Sequence, residues 1–582
     1  MRKHAFQLCA LAAAVGLALA ACGGGNSGSG SNTPMGTVNV QVTDGPSDEF
    51  QNVWVTFTAI AFHTDPNAQW DPADATWQVI KLSSPQTINL ATLNNGSLNN
   101  LFMGLNLQAG TYRQVRFLLD GPDAPLDASA LATKDSNGAA LQWNDQVEYL
   151  PTGKTTLLES PLEIAYPTQG IQLVGTFNVP QNGTISVAVD FDLEHDIVPF
   201  NHDGMTYFTM RPNLQYFDMT QVGAITGTIN TAELCQSVAA AVSQTATCAY
   251  NLIVKAELLT PKGQRHYVAR QTTVDPLTGA FTLYPLATKD ASGNPITSYD
   301  VLIRGREMET MLVTGVPVSA GTSPTGTGAA GPTTLPGTVT PILNSDEYFA
   351  QFGSALSPLS SGYAIFQQTL SGGVPYQVRW RNTDPFTGEF RNPIALQGAT
   401  SPIQVAAYSS SSLSFLPQTP VDGTGGDGNF TVADNEVAYY TLATAGVMSP
   451  VAAGATQTFA PAAPALDSGV QSGTINVTLD FSNIKVENNC ELVLARFASI
   501  IDTYDCNSFL STNGGSNSGS FALTGVPAGD STTPVPGAYY YAYVRLWETG
   551  HGKATRLIVP LDGFIDLRSS TSATLNGSIV GE

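Results

Sequence analysis

The sequence predicts an all-β protein made of several β-sandwich domains in tandem. Apolar and polar residues alternate along many short runs, which is the period of a half-buried strand. The chain contains 55 Gly and 36 Pro residues, as expected where turns separate short strands. A short motif recurs in the second half at a spacing of about 110 residues, which is the length of one sandwich.

The first residues read as an export signal. Arg2 and Lys3 precede an apolar run from Ala5 to Ala21, which is short for a membrane span and typical of a signal peptide. The run ends in Leu-Ala-Ala-Cys22, which resembles a bacterial lipobox. This resemblance implies that residues 1–21 are removed and that Cys22 is acylated, with palmitate or a similar chain. An ordinary secretory signal with an incidental cysteine is the alternative.

Residues 22–36 form the lipid-bearing cysteine and a Gly/Ser-rich tether. Gly23 follows the cysteine, as in lipoproteins that are sorted to the outer membrane. We therefore expect a lipid-anchored protein of the outer membrane, on its periplasmic or its surface side.

The charge of the chain limits its partners. It has 24 basic and 46 acidic residues and a formal net charge of −22. Nucleic acid is excluded as an expected partner, because a phosphate backbone needs a positive surface. The expected partners are the membrane, through the anchor, and proteins, glycans or divalent cations.

Four cysteines remain after the signal and the lipidation site. They are Cys235, Cys248, Cys490 and Cys506. An even number in an oxidising compartment indicates disulfide bonds. We expect the two local pairs, each inside one domain, with free or intermolecular thiols as the alternative. A CxxC motif is absent from the sequence, so a redox site or zinc knuckle is not indicated.

We predict that residues 37–220 form the first β domain. Its alternating runs are 37–43, 53–60, 114–119, 170–177 and 185–193. Four segments, in their order and spacing, resemble the bacterial envelope family called domain of unknown function 4382; they are Val40–Pro46 with Val53 and Val55, Gly110–Phe117, Val189–Leu193, and Tyr207 with Arg211–Leu214. The resemblance covers about residues 37–218, with Gly45 where Ala is expected. It implies an extracytoplasmic β-rich domain and no established activity, so no catalytic residue is carried over.

The remainder contains an internal repeat. Asp275–Phe281 (DPLTGAF) recurs as Asp384–Phe390 (DPFTGEF), and Gly519–Leu523 is a degenerate third copy. Two copies precede a Tyr-rich strand that ends in Arg304 or Arg545. This order resembles transthyretin-like or carboxypeptidase-regulatory-like modules and implies an immunoglobulin-like or transthyretin-like sandwich for each copy. The predicted domains are 37–220, 221–330, 331–465 and 466–582.

Clustered carboxylates are the strongest candidate site. Asp190 and Asp192 alternate on one predicted strand, so both point to one face, which Glu194 continues. Asp44 lies in a turn that could approach them. Calcium prefers several oxygen ligands, so these four residues are a candidate calcium site, and no other cofactor is indicated. Structural roles in turns or at a strand edge are the alternative.

An aromatic strand is the second candidate. Tyr539, Tyr541, Tyr543 and Trp547 share one face of a predicted strand whose other face is also apolar. Two covered faces explain this pattern, and an exposed aromatic platform for sugar rings is the alternative. Another strand alternates apolar residues with Gln377, Arg379 and Arg381, which predicts one core face and one solvated face.

These observations predict a non-catalytic, lipid-anchored binding or structural module of the cell envelope. Two alternatives remain open. One is an envelope enzyme that acts on carbohydrate through paired carboxylates. The other is a calcium-stabilised adhesin or scaffold. HExxH and GxSxG motifs are absent from the sequence, so neither a zincin nor an α/β-hydrolase is supported.

Overall fold

The computed structural model describes residues 34–580 except for a set of interior segments. These segments are 48, 152–155, 165–168, 203–204, 211, 213, 232–251, 261–262, 264, 291, 306–307, 328–330, 343–345, 353–362, 383–391, 397–401, 421–428, 434–439, 442, 448–455, 460–464, 467, 483–487, 497–498, 511–516, 549–554 and 562. Cys22, Cys235 and Cys248 therefore lie outside the described residues, as does the repeat motif at Asp384–Phe390.

Nearly all regular structure in the described residues is β-strand, which confirms the predicted all-β class. One pairing pattern of seven strands, which we name A to G, occurs four times. Strand A lies between D, which runs antiparallel to it, and G, which runs parallel to it. Strand B lies between C and E, and E also pairs with F, all antiparallel. Each unit is thus a DAG sheet combined with a CBEF sheet.

The first unit is the most elaborate. Its elements are β1 (Met35–Gly45), β2 (Phe50–His63), β3 (Gln78–Asn89), β4 (Asn99–Gln108), β5 (Gly110–Leu119), α1 (Ala128–Ala132), β6 (Gln146–Tyr149), β7 (Leu158–Glu163), β8 (Ile171–Val179), β9 (Thr184–Asp192), α2 (Leu193–Asp196), β10 (Ile197–His202), β11 (Met205–Met210) and β12 (Gln215–Asp218). Strands A to G are β1 to β5, β8 and β9. The inserted β6, β7, β10 and β11 extend the second sheet, and β12 pairs with the outer edge of β9.

The second unit follows the pattern without an insertion. Strands A to G are β13 (Val222–Ile229), β14 (Ile253–Leu259), β15 (His266–Thr273), β16 (Ala280–Ala287), β17 (Ser298–Arg304), β18 (Thr310–Pro317) and β19 (Thr333–Val339). Because β19 pairs with β13, this unit continues past the predicted boundary at 330.

The third unit contributes strands to two sandwiches. Its elements are β20 (Asp346–Phe352), β21 (Tyr363–Thr369), β22 (Pro375–Asn382), β23 (Asn392–Leu396), β24 (Ile403–Ala407), β25 (Leu416–Gln418), β26 (Asn429–Ala433), β27 (Tyr440–Thr441), β28 (Ala443–Val447), β29 (Thr456–Phe459) and β30 (Ala465–Leu466). Strands A to G are β20 to β23, β26, β28 and β29. The inserted β24 pairs with β18 of the second unit, so residues 331–465 do not form a self-contained domain.

The fourth unit ends the described chain. Its strands are β31 (Gln471–Ser482), β32 (Asn488–Arg496), β33 (Ser499–Asp505), β34 (Asn517–Ala528), β35 (Tyr539–Glu548), β36 (Thr555–Pro560), β37 (Ile565–Asp566) and β38 (Ser572–Val580). Strands A to G are β31 to β36 and β38.

Local sequence explains the repeated turn before strand D. In the second unit, the carboxylate of Asp275 accepts hydrogen bonds from the backbone of Leu277 and Thr278 at 2.9 and 2.8 Å. Gly279 closes the turn with a φ of +71°, a conformation that side chains with a Cβ rarely adopt. The chain then enters β16 with Phe281 buried in the core.

Strands of the CBEF sheets of the second, third and fourth units contact the first unit. The DAG sheet of the second unit also contacts it, because Val222, Ala224 and Tyr284 pack with Ala188 and Phe217. The core of the first unit includes Val493, Ala495 and Tyr543 of the fourth unit. The DAG sheets of the second and fourth units present Ser, Thr and Asn side chains on their outer faces. None of the helices among the described residues is long and apolar enough to cross a membrane.

Candidate functional site

The predicted carboxylate cluster lies where the first unit meets the second. Strand β9 carries Asp190 and Asp192 in line, and α2 follows it directly. The backbone N–H of Leu193, the first residue of α2, donates to Asp44 Oδ1 on the neighbouring β1 at 3.2 Å. Asp44, Asp190 and Glu194 are buried, and Asp192 is half-buried. Asp44, Asp190 and Asp192 are near enough for their charges to interact. Glu194 does not continue their strand, because β9 ends at Asp192 and Glu194 lies on α2.

Asp190 contacts a cation from the second unit. Arg270, on β15, forms an ion pair with Asp190. The same guanidinium donates to Thr43 Oγ1 at 2.6 Å and to the carbonyl oxygen of Asp44 at 2.8 Å. Its neighbour Gln271 donates to Asp192 Oδ1 at 3.2 Å. Consecutive side chains of strand C in the second unit therefore bind the end of the first unit's DAG sheet.

Glu194 joins three units. Its carboxylate lies 3.2 Å from Lys255 Nζ and 2.6 Å from Arg304 Nη2, both on the second unit. Arg381 Nη1, on β22 of the third unit, lies 3.8 Å away. All four side chains are less than one-tenth exposed. We name Glu194, Lys255, Arg304 and Arg381 the Glu194 cluster.

The third unit holds α2 from its other side. Asn382 Nδ2 donates to the carbonyl oxygens of Glu194, His195 and Ile197 at 3.3, 3.1 and 2.9 Å. His195 Nδ1 lies 2.6 Å from Asp192 Oδ2, and its ring meets that of Trp380 edge-on at 4.1 Å. The predicted solvated face of β22 is therefore wrong: Gln377, Arg379 and Arg381 are buried at this junction.

Burial is the main cause of the pKa shifts of the charged side chains in this region. It raises the pKa of Asp44 well above the ordinary value, and the neighbouring charges of Asp190 and Asp192 add to the effect. Burial also raises the pKa of Asp190, against the opposing charge of Arg270. It lowers the pKa of Lys255, against the charge of Glu194. Arg270 and Lys255 therefore place positive charges beside Asp190 and Glu194.

The calcium hypothesis for Asp44, Asp190, Asp192 and Glu194 stays a prediction. Within the described ranges, no three His, Cys, Asp or Glu side chains are grouped so that they could hold a metal ion. Each of the four carboxylates has a protein partner instead: Leu193, Arg270, His195 with Gln271, and the Glu194 cluster.

A second polar junction joins the fourth unit to the first. Arg545, on β35, lies 2.9 Å from Glu163 Oε1 on β7 and 3.2 Å from Glu491 Oε2 on β32. The hydroxyl of Tyr543 donates to Glu163. Burial raises the pKa of Glu491 to about 8, against the charge of Arg545.

The aromatic strand is covered on both faces. Tyr539, Tyr541 and Tyr543 are 1%, 8% and 1% exposed, so they are not an exposed platform for sugar rings. They pack toward the first unit, whose Arg116 hydrogen bonds with Tyr541. The side chain of Trp547 lies outside the described residues, although its backbone pairs with Asn489 and Arg556.

Of the predicted disulfides, the Cys490–Cys506 bond is present. Cys490 lies on β32 and Cys506 follows β33, with 5.0 Å between their Cα atoms. The bond therefore joins the two ends of the BC hairpin in the fourth unit.

The cationic partners were missed by the sequence analysis. Arg304 and Arg545 were visible as the ends of two Tyr-rich strands, and both occupy strand E of their units. Arg116, also fully buried, occupies strand E of the first unit. This repeated position was a signal, since a charged residue inside an apolar strand needs a buried partner.

Comparisons with known proteins agree with the resemblance seen in the first unit. Residues 35–212 match the model of the family described as Domain of unknown function (DUF4382), which confirms that resemblance. No curated protein matches the chain.

Two solved structures align with most of the chain. The Bacillus anthracis TIE protein does so at 9% identity and a TM-score of 0.13, over 96% of this chain and 76% of that one. The full-length major pilin RrgB from Streptococcus pneumoniae aligns at 11% identity and a TM-score of 0.10, over 94% of this chain and 100% of that one. TM-scores this low support no inference about fold or function.

Proposed function

We propose that this protein is a non-catalytic structural module of the bacterial cell envelope, anchored by lipid at Cys22. One observation carries the proposal: the buried carboxylates of the first unit contact cations of the units around it. Glu194 contacts Lys255 and Arg304, and Glu163 contacts Arg545. A catalytic carboxylate must reach its substrate, whereas these side chains are covered by protein on all sides.

The ion pairs give the module a defined shape. Buried charge pairs are poor sources of net stability, but they penalise any arrangement that leaves a charge without its partner. Here they fix how the CBEF sheets of the surrounding units contact the first unit. A tethered protein of this kind would hold its units in constant positions relative to one another.

The anchor is tested in cells that express the wild-type chain and Cys22→Ala. We expect radioactive palmitate to label the wild-type chain alone, and the wild-type chain to fractionate with the outer membrane. An unlabelled wild-type protein that remains in the soluble fraction would contradict the anchor. The Cys490→Ala variant is the matched control, because its lipobox is intact.

The non-catalytic role is tested by incubating the purified protein with envelope polysaccharides and peptidoglycan. We expect no products by mass spectrometry above those in a heat-denatured sample. Turnover by the wild-type protein that is lost in Asp190→Asn would instead establish the alternative of an enzyme acting through carboxylates.

Calcium dependence distinguishes the proposed module from a calcium-stabilised adhesin. Because Arg270 and the Glu194 cluster already balance the acidic side chains, we expect equal melting temperatures in calcium and in chelator. A ligand that binds only the folded state must raise its stability. A higher melting temperature in calcium that disappears in Asp190→Asn would restore the calcium site.

A further inference from the structure

Within the part of the chain that the structure describes, no strand pairs with the outer edge of β38, the last strand of the fourth unit. Strand β38 pairs in parallel with β31 over nine residues, in continuous register from Thr474↔Ser572 to Ser482↔Val580. The DAG sheet ends there, in the order β34-β31-β38. The outer side of β38 therefore presents a row of backbone donors and acceptors, which is a template for pairing with another strand.

The corresponding G edges of the other units are protected or short. In the first unit, β12 pairs with β9 and covers its edge. In the second unit, Pro336 and Gly337 interrupt β19, and its register shifts there. In the third unit, β29 has only four residues, Thr456–Phe459. Among the G strands that the structure describes, β38 alone is long, regular and uncovered.

The surroundings of this edge carry almost no charge. Strand β38 has neither Pro nor a charged residue, the usual devices that protect an edge. Its outward side chains are Ser572, Thr574, Asn576, Ser578 and Val580, all exposed. The outward side chains of β31 and β34 beside them are Thr474, Asn476, Thr478, Asp480, Ser518, Ser520, Ala522 and Thr524. Asp480 is the one charged residue of this face.

We propose that β38 pairs antiparallel with β38 of a second copy of this chain, which joins two DAG sheets into one six-stranded sheet. A two-fold axis uses the same strand on both sides, so one open edge closes the other. The neutral face is where two chains, each with a net charge of −22, approach with least repulsion.

The alternation of side chains selects the register. Residues directly opposite in an antiparallel pair lie on the same face, so outward residues must face outward residues. Full overlap then places the axis at Asn576, with Thr574 opposite Ser578. In this register Leu575 and Ile579, which are buried, stay on the core side of both sandwiches. The inference depends on the strand edge and not on the proposed function.

Disulfide trapping tests this register in the intact protein on its membrane. Residues opposite each other have Cα atoms about 4.5–5.5 Å apart, within the range that a disulfide bridges. We expect Asn576→Cys to give a dimer on a non-reducing gel. The matched control is Asn476→Cys, which is exposed on the same face but lies on the central strand A, away from the edge. Equal dimer from both variants, or none from Asn576→Cys, would overturn the proposal.

A charge at the axis tests the same contact in the purified mature chain. In Asn576→Asp two negative charges meet across the axis and add to the repulsion between two acidic chains, so we expect dimerisation to weaken by about fivefold. Asn476→Asp adds the same charge to the same face, away from the axis, and should leave the dimer intact. Both sites are exposed, so melting temperatures should match the wild type. Added salt should strengthen the dimer, because it screens the repulsion between two acidic chains.

Two outcomes would reject a second copy as the occupant. One is a wild-type chain that stays monomeric at every concentration and salt level. The other is a cross-linked band from Asn576→Cys that contains a different protein, which would assign the edge to a foreign strand.

Discussion

At the scale of single residues, Glu194 is a buried carboxylate that contacts cations of two other units. Its side chain is buried, and both Lys255 and Arg304 direct their charges at it. Removing such groups from water costs several kcal/mol for each ion, and the mutual attraction offsets this cost only while the pairing is complete. The cluster therefore favours one docked arrangement over others more than it adds net stability.

Replacing Glu194 tests this view. Glu194→Gln keeps the size of the side chain but removes the carboxylate that Lys255 and Arg304 both contact, which should reduce the free energy of unfolding by about 3–5 kcal/mol. Urea denaturation followed by tryptophan fluorescence measures the change. The control is Asp566→Asn, because Asp566 pairs with Arg568 in a half-exposed bridge. Such a bridge contributes about 0–1 kcal/mol, so equal losses in the two variants would refute the argument.

Gly279 offers a test of the repeated turn. It has a φ of +71°, and a Cβ built there would lie 1.9 Å from the carbonyl oxygen of Ile229. Gly293 has a φ of +84° with open space around it. Gly293→Ala should cost about 1–2 kcal/mol from the backbone conformation alone. Gly279→Ala should cost a further 1–3 kcal/mol or so, because it also forces the backbone of β13 to move.

The two glycine variants are compared by thermal melting. The difference between them isolates the overlap with Ile229, since both share the positive φ. Equal melting temperatures for the two variants would show that the backbone near Ile229 can move to accept a Cβ at residue 279 without loss of stability.

The carboxylates of the candidate site were predictable, but their partners were not. Asp190 and Asp192 alternate on one strand, and that spacing alone places them on one face. Lys255 and Arg304 lie 61 and 110 residues beyond Glu194, on another unit. The sequence contains no local pattern that joins them, because the contact arises from how two whole sandwiches dock. For the same reason, the face of β22 that carries Arg381 was predicted to be solvated, although it is covered by another unit.

At the scale of elements, strands were easier to predict than units. Val38, Val40 and Val42 alternate in the sequence and are buried together in the core. The repeat of the second half was visible through its DPxTGxF turn. Its relation to the first unit was not, because that unit lacks the motif and carries an insertion between strands E and F. Pairing order, rather than sequence, reveals that all four units share one design.

The disulfide of the fourth unit gives a prediction at this scale. It closes a loop with a sequence separation of 16 residues, for which the loss of chain entropy in the unfolded state stabilises by about 3 kcal/mol. The double variant Cys490→Ala and Cys506→Ala should lower the urea midpoint of the fourth unit. Limited proteolysis should then cut the BC hairpin, β32 to β33, earlier than in the wild type. Unchanged cleavage there would show that pairing with β35 already holds the hairpin.

At the scale of the whole molecule, the acidic side chains fall into two groups, one with lowered and one with raised pKa values. Exposed turn residues such as Asp275 and Asp290 accept backbone or side-chain hydrogen bonds, which lower their pKa. Residues at the junctions of the units, such as Asp44 and Glu491, are buried, which raises their pKa. Glu491 therefore keeps a proton in the folded chain near pH 7 that the unfolded chain would release.

This distribution predicts that stability falls as pH rises from 5 to 8. Burial raises the pKa of Glu257 to about 8 and that of Glu491 to about 8, from the ordinary value of 4.5. Between these limits the folded state binds more protons than the unfolded state, so raising the pH favours unfolding. The stabilisation is complete below about pH 4.5 and is lost as the pH passes through 8. The lowered pKa values of the turn aspartates act below this window. Burial lowers the pKa of His266, which opposes the trend only below the ordinary value of 6.5.

Urea midpoints measured at pH 5, 6, 7 and 8 give the slope, and Glu491→Gln identifies its source. The amide cannot ionise, so the variant should lose less stability than the wild type across the same range. Asp566→Asn, which removes an exposed carboxyl with a lowered pKa, should leave the slope between pH 5 and 8 unchanged. A wild-type midpoint that rises with pH would mean that Glu257 and Glu491 are ionised in the folded state. The junctions would then be held by fully charged pairs, and the neutral carboxyls inferred here would be wrong.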